Sequence, residues 1–195
     1  HTYNYHNGTP SDWYTRMLGV DKMLREYSNG KEVPLFITEM GYPTHVSAGG
    51  NDYETSASYL ARIYLMAKTL PFIKGIWWYD FQDDGWKAAY NENNFGIVRG
   101  DLTPKPAYYV LSDITNILKN GQFAERIDVK DPNVWVLRFK MPEGKQAIVM
   151  WSEYENDDMQ ITLRNAASDK TPVNVRHAGN KSYTMNWGCR DWISD

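Results

Sequence analysis

The amino-acid sequence predicts an α/β chain: a parallel-sheet portion over residues 1–121, followed by a small antiparallel β domain over residues 122–195. Three observations predict it. Up to residue 121, helical periodicity alternates with short apolar runs in the order α-β-α-β-α, and repeated βα units build parallel sheets. The two apolar runs lack the in–out alternation of a half-exposed strand, as expected for strands covered on both faces. Beyond about residue 122 the helical periodicity stops, and short strand-like runs are separated by turn-rich pieces.

Thr9-Pro10-Ser11 opens the first helix, with a capping hydroxyl followed by a proline whose missing N–H costs nothing in the first turn. Trp13, Met17, Val20, Leu24 and Tyr27 recur at helical spacing, and Gly30 is a natural stop. Val33–Thr38 reads as the first buried strand, and residues 41–51, with Pro43 and Gly49-Gly50, as a loop. A second helix runs from about Glu54 to Leu70 with Tyr59, Ile63, Met66 and Leu70 on its apolar stripe. Phe72–Tyr79 is the second buried strand, and Asp80–Asp101 a long polar loop. Thr103-Pro104 starts a third helix with Tyr108, Leu111, Ile114 and Leu118 on one face and Gly121 at its end. Downstream, Val134–Phe139, Ala147–Trp151 and Met159–Leu163 are strand candidates.

Composition excludes several partners. Hydrophobic residues make up 42%, enough for a core, and the net charge of −3 offers no basic face for nucleic acid and no polybasic membrane anchor. No apolar run approaches the roughly 20 residues of a membrane span. The opening residues His1–His6 are neither basic nor apolar, so they read as the inside of a domain and not as a signal peptide. The lone Cys189 cannot pair within the chain, and no Cys or His cluster has the spacing of a metal site, so no cofactor is implied. Aromatic residues reach 14%, which fits either core burial or stacking on sugar faces.

Two strand ends carry the candidate chemistry. Phe36-Ile37-Thr38-Glu39-Met40-Gly41-Tyr42 places a carboxylate where a buried strand runs into a glycine loop, and in parallel α/β folds that end of the sheet is where active sites are built. Trp77-Trp78-Tyr79-Asp80-Phe81-Gln82-Asp83-Asp84-Gly85 sits at the second strand end. Its two tryptophans alternate in direction: a ring at the mouth can supply a platform for a sugar, or both rings are structural, as is expected for Trp77. The Asp cluster has oxygen ligands for a cation but no EF-hand pattern, so solvated loop roles are expected. If His1-Thr2-Tyr3 closes a further strand, His1 and Tyr3 share one side of it.

These pieces together resemble clan A glycoside hydrolases, in particular family 39 and family 5-like members, over roughly residues 1–118. His1-Thr2-Tyr3 resembles the end of barrel strand six, Ile37-Thr38-Glu39-Met40-Gly41 the strand-seven motif, and Ile76–Gly85 strand eight. Glu92-Asn93-Asn94-Phe95-Gly96-Ile97-Val98, followed by Thr103-Pro104-Lys105-Pro106-Ala107-Tyr108, is similar to the family's run into helix eight. The resemblance implies the C-terminal portion of a (β/α)8 barrel followed by a β-sandwich, and a retaining mechanism in which one carboxylate attacks the sugar and another shuttles the proton.

On that resemblance Glu39 is the nucleophile, hydrogen-bonded by His1 or Tyr3, and Trp78 is the floor of the reacting subsite. His1, Tyr3, Tyr42, Trp78 and Asp80 form the implied substrate-binding set. The family places its acid/base in an Asn-Glu pair after strand four; this chain is expected to begin near strand six, with the rest of the barrel supplied elsewhere. Asn91-Glu92 resembles a structural position instead. The implied partner is a carbohydrate, and the implied address is secreted or periplasmic. Two other readings stand beside this one: a carbohydrate-binding module centred on residues 122–195, and an assembly role without catalysis.

Overall fold

The computed structural model describes residues 1–6 and 8–153, together with the backbone of residues 172–176 and 182–186. The chain divides into two compact units, His1–Phe123 and Ala124–Asp195.

The first unit holds α1 (Pro10–Tyr27), β1 (Leu35–Met40), α2 (Tyr53–Ala67), β2 (Ile73–Trp78) and α3 (Pro106–Asn120). β1 and β2 pair in parallel, with Leu35 opposite Ile73, Ile37 opposite Ile76 and Met40 opposite Trp78. β1 lies two residues later than the sequence predicts, so Glu39 is inside the strand and not just beyond it. The backbone bond from Leu35 N–H to the Phe72 carbonyl starts the ladder after Pro34, whose ring cannot donate to it.

The strands are not covered on both faces. Ile37 and Met40 are buried, whereas Phe36 is 60% exposed and Trp77 is 55% exposed. Trp77, expected to be structural, is therefore on the open face. Gly75 makes this possible, because a Cβ there would lie 2.8 Å from the Trp77 indole and 3.2 Å from the Phe36 ring. On the other face, the Trp78 ring stacks on Tyr64 of α2 and packs against a core of Ala57, Leu60, Ile97, Val98, Ala107 and Val110.

Helix α1 begins as the sequence predicts. Thr9 accepts a bond from Asp12 N–H while the Asp12 side chain accepts one from Thr9 N–H, a reciprocal capping box. Trp13 and Met17 are fully buried, but Tyr27, expected on the apolar stripe, is 87% exposed at the last turn. Helix α2 packs against α1, α3 and β2, and so it buries more than one stripe: Leu60, Ile63, Leu65 and Met66 are all inaccessible. Helix α3 starts at Pro106, two residues later than Pro104, since the backbone of Thr103 and Lys105 is taken by bonds to Arg99 and Ile97. Its buried side is Ala107 and Val110, backed by Leu111 and Ile114, and Tyr108 turns to solvent.

After α3, β3 (Gln122–Arg126), β4 (Val134–Lys140) and β5 (Gln146–Ser152) form a sheet in that order, and β6 (Pro172–Arg176) pairs antiparallel with β7 (Ser182–Asn186). Trp135 and Trp151 are directly opposed across β4 and β5, stacked at 5.4 Å and both buried. The Arg126 guanidinium lies 3.7 Å from the Trp135 ring centre. β3 has no alternating pattern and is not evident from sequence. The candidate strand Met159–Leu163 and Cys189 lie outside the described residues.

The capping box is the local signal that fixes where α1 begins. Thr9→Ala is expected to cost about 1 kcal/mol of stability, and Thr9→Ser much less, by chemical or thermal melts.

Candidate active site

The opening segment is clamped to α1. The Trp13 indole N–H donates to Thr2 Oγ1 at 3.0 Å, Arg16 donates to the carbonyls of Thr2 and Tyr3, and Asn4 Nδ2 donates to the Thr9 carbonyl at 2.9 Å. Thr2 N–H donates to the Glu39 carbonyl at 3.1 Å. The segment is not a strand, contrary to the expectation: this one backbone bond ties it to β1 in place of a ladder. The alternation still holds, and His1 and Tyr3 fall on the same side, over the Glu39 side chain.

Both reach the same oxygen. Tyr3 OH donates to Glu39 Oε2 at 2.9 Å, and His1 Nδ1 lies 2.8 Å from that atom. Burial, and then the bond to Glu39, push the Tyr3 phenol well above its ordinary range, so it is a hydrogen-bond donor at any physiological pH. No bond to Glu39 Oε1 is found among the described residues, and the side chain is 34% exposed. The two contacts thus fall on one oxygen of the carboxylate.

Glu39 opens into a cleft of about 230 Å³ that it shares with Tyr3, Tyr5, Tyr79, Glu92 and Phe95. The cleft exists because the ends of β1 and β2 come very close. Tyr79 N–H donates to the Met40 carbonyl at 2.8 Å, and a Cβ on Gly41 would lie 2.0 Å from the Tyr79 carbonyl oxygen. Only glycine fits there. Phe95, 3% exposed, is the hub of the floor, with the rings of Tyr3, Tyr5 and Tyr79 at 5.7, 5.4 and 5.2 Å in edge-to-face geometry. Burial, followed by the nearby Asp84, pushes the Tyr79 phenol up to about 12.

Glu92 is the second carboxylate of the cleft. Its Oε1 accepts from Asn91 Nδ2 at 2.8 Å, and the same amide donates to Tyr5 OH at 3.3 Å. Sequence reasoning set Glu92 aside as structural and passed over Tyr5, Tyr79 and Phe95. The signal for Tyr79 is its place at a strand end beside two tryptophans, and Glu92 and Phe95 belong to the Glu92–Val98 motif; Tyr5 has none, because the opening segment brings it in.

Three residues of the implied substrate-binding set are elsewhere. Trp78 belongs to the core between α2 and α3, because register pairs it with the buried Met40; Tyr79 takes its place in the cleft. Tyr42 is 1% exposed, and its hydroxyl is already spent on Asn4 Oδ1 at 2.6 Å. Asp80 is behind the cleft wall, its backbone N–H and carbonyl bonded to Phe95 and Ile97, with Oδ1 buried and unpartnered. Burial first, and then the charges of Asp84 and Asp83, raise its carboxyl from the usual 3.8 to about 7. Of the Asp cluster, Asp83 is bound to Lys105 and Asp84 to the Tyr79 hydroxyl at 3.4 Å. No group of three or more His, Cys, Asp or Glu among the described residues is arranged to hold a metal ion.

A larger hollow, about 490 Å³, runs along Arg126–Val134 in the second unit. Both of its acids are engaged within the same loop, Asp128 by Lys130 and Asp131 by the Asn133 N–H. The smaller cleft, with two carboxylates and three phenols converging, is the candidate site.

No family model matches the chain, and no curated protein does. Among solved structures, the chain is similar to a family 39 glycoside hydrolase from the gut symbiont Bacteroides cellulosilyticus WH2, at 27% identity and a TM-score of 0.66. The match covers 87% of this chain but 35% of that one, so the chain spans about a third of the length of the enzyme it matches. Overlap with a GH2 beta-galacturonidase from Eisenbergiella tayi (21% identity, TM-score 0.46, 65% of this chain and 24% of that one) is too slight to bear on the fold. The same holds for a beta-glucuronidase from Bifidobacterium dentium (26% identity, TM-score 0.40, 55% of this chain and 18% of that one). No helix among the described residues is long and apolar enough to cross a membrane.

The raised Asp80 carboxyl has a consequence for stability. The folded chain holds this proton where the unfolded chain has released it, so stability falls as pH rises from about 4 to about 7. Asp80→Asn is expected to flatten that slope and to raise stability at pH 8 by roughly 1–2 kcal/mol, a figure reduced for solvent screening of a half-exposed group. Melting temperatures of the two proteins across pH 4–8 check it; parallel curves would refute it.

Proposed function

We propose that this chain is part of a retaining glycoside hydrolase in which Glu39 is the nucleophile. The observation that carries the reading is the grip on Glu39: Tyr3 and His1 both bond Oε2, the side chain lines the cleft, and no bond to Oε1 is found among the described residues. In a double displacement that oxygen attacks the anomeric carbon while a second acid protonates the leaving oxygen. The second group, now deprotonated, takes a proton from water as the water oxygen bonds to the anomeric carbon and the bond to Glu39 breaks. The likeness to a family 39 glycoside hydrolase supports the reading.

On this reading the rings of Tyr79 and Phe95 shape the floor beneath the sugar. Glu92, held by Asn91, accepts hydrogen bonds from sugar hydroxyls. The two strands are part of a (β/α)8 barrel whose other strands, with the proton donor, lie on polypeptide outside these residues. The exposed Phe36 and Trp77 are the surface those strands would cover, since such rings on an open sheet face call for a partner layer. The second unit is a β-sandwich companion, and the enzyme works in a secreted or periplasmic setting.

A second reading rests on Glu92, the other carboxylate of the cleft. If Glu92 were the proton donor, these residues alone would suffice for turnover. The isolated chain is expected to cleave aryl glycosides at least about 10³-fold more slowly than the complete enzyme. Normal turnover by the chain alone, lost in both Glu39→Gln and Glu92→Gln, would establish the second reading instead.

The direct test is covalent trapping. Activated 2-fluoro glycosides of several sugars, incubated with the complete enzyme, are expected to leave a glycosyl mass on the peptide containing Glu39. Glu39→Gln should abolish the adduct and lower kcat on the order of 10³-fold or more, whereas Glu92→Gln should mainly raise KM, by roughly tenfold. An active enzyme labelled at another residue would rule Glu39 out.

A further inference from the structure

The stretch from Tyr79 to Lys105 carries Tyr79, Glu92 and Phe95 into the cleft with one short 3-10 turn at Asn91–Asn93 and no named strand. Isolated bridges pair Gln82 with Val98 and Val98 with Pro104, and Asp80 N–H donates to the Phe95 carbonyl at 3.2 Å, so backbone bonds hold part of it and side chains add the rest. At its end stands Lys105, the N-cap residue of α3, only 1% exposed.

The ammonium group of Lys105 has three protons, and the structure gives each an acceptor on a different stretch. Nζ donates to Asp83 Oδ1 at 2.6 Å, to Thr44 Oγ1 at 3.0 Å and to the Asn94 carbonyl at 3.4 Å. Asp83 Oδ1 also accepts from Gly96 N–H at 2.9 Å. Thr44 donates its own N–H and Oγ1–H to the Asn94 carbonyl, at 2.9 and 3.1 Å. The Tyr53 ring centre lies 5.7 Å from Nζ. One buried cation thus joins the loop after β1, the start of the loop after β2, and the backbone at Asn94. Asn94 stands between Glu92 and Phe95, so its carbonyl is the point from which both enter the cleft.

A buried ion pair rarely adds net stability over a well-packed apolar pair of similar size, because removing both charges from water costs about what their attraction returns. What an apolar pair cannot do is aim three hydrogen bonds at three separate segments. We propose that Lys105 is a positioning residue: by bridging Thr44, Asp83 and the Asn94 carbonyl, it sets where Glu92 and Phe95 stand relative to Glu39. Its functional meaning rests on the reading of that cleft as the reaction site.

The experiment separates positioning from simple stability. Lys105→Met and the double variant Lys105→Met/Asp83→Leu are compared with the parent chain by melting temperature and by amide hydrogen exchange at single residues. The reporters are the amides of Thr44, bonded to the Asn94 carbonyl, and Asn94, bonded to the Asn91 carbonyl; the control is the amide of Thr2, bonded to Glu39. In Lys105→Met, exchange at Thr44 and Asn94 is expected to speed up by roughly tenfold or more while Thr2 is unchanged. In the double variant the melting temperature should return close to the parent's, yet the two reporters should stay fast. Unchanged exchange in Lys105→Met, or protection regained along with stability in the double variant, overturns the proposal. Should either of these fail to fold, Thr44→Val, which removes one arm of the bridge from a half-buried position, carries the same two outcomes at Asn94. Exchange is read without substrate. A complete enzyme labelled at a residue other than Glu39 therefore counts against the Glu39 assignment and leaves the result for Lys105 standing.

Discussion

The close approach of two strand ends is the constraint on which the site depends. Met40 and Tyr79 share a backbone hydrogen bond, and the absence of a side chain at Gly41 lets the Tyr79 carbonyl pass within a distance that no other residue permits. Glu39 is one residue before that contact and Tyr79 is part of it. A carboxylate and an aromatic ring therefore meet at the same end of the sheet as a direct consequence of parallel pairing. With antiparallel pairing in their place, the two strand ends would lie at opposite edges.

Once the strand ends are joined, the cleft is completed by segments with no ladder of their own, and each is held by polar anchors. The opening residues are fastened to α1 by Trp13, Arg16 and Asn4, so the capping box that starts α1 also sets the height of Tyr3 over Glu39. The long loop after β2 is fastened at Asn94 and Asp83. Loops fixed in this way can carry reactive groups without the mobility that unanchored loops show. The aromatic packing around Phe95 adds a second restraint, since its edge-to-face contacts join the opening segment to the loop.

The two faces of the β1–β2 pair differ sharply. One is closed by α2 and α3 around Trp78; the other leaves Phe36 and Trp77 open. That asymmetry explains why apolar runs without alternation read as strands covered twice over: the residues have the composition for two buried faces, while the described residues cover only one.

Much was legible in the linear chain for local reasons. The order of helices and strands, the α1 cap at Thr9, and Glu39 at the end of a strand follow from periodicity, capping chemistry and the glycine after the strand. His1 and Tyr3 on a common side follow from alternation alone. What only the tertiary structure decided were the matters that depend on register and long-range contact. Which of two adjacent tryptophans faces the core was set by Met40 opposite Trp78, because a one-residue slip exchanges every side chain between faces. That Tyr42 is spent on Asn4, and that Asn91 reaches Tyr5 beside the cleft, came from side chains meeting across 38 and 86 positions of sequence. No local pattern encodes such meetings; they exist only once the strands have paired and the loops have been tied down.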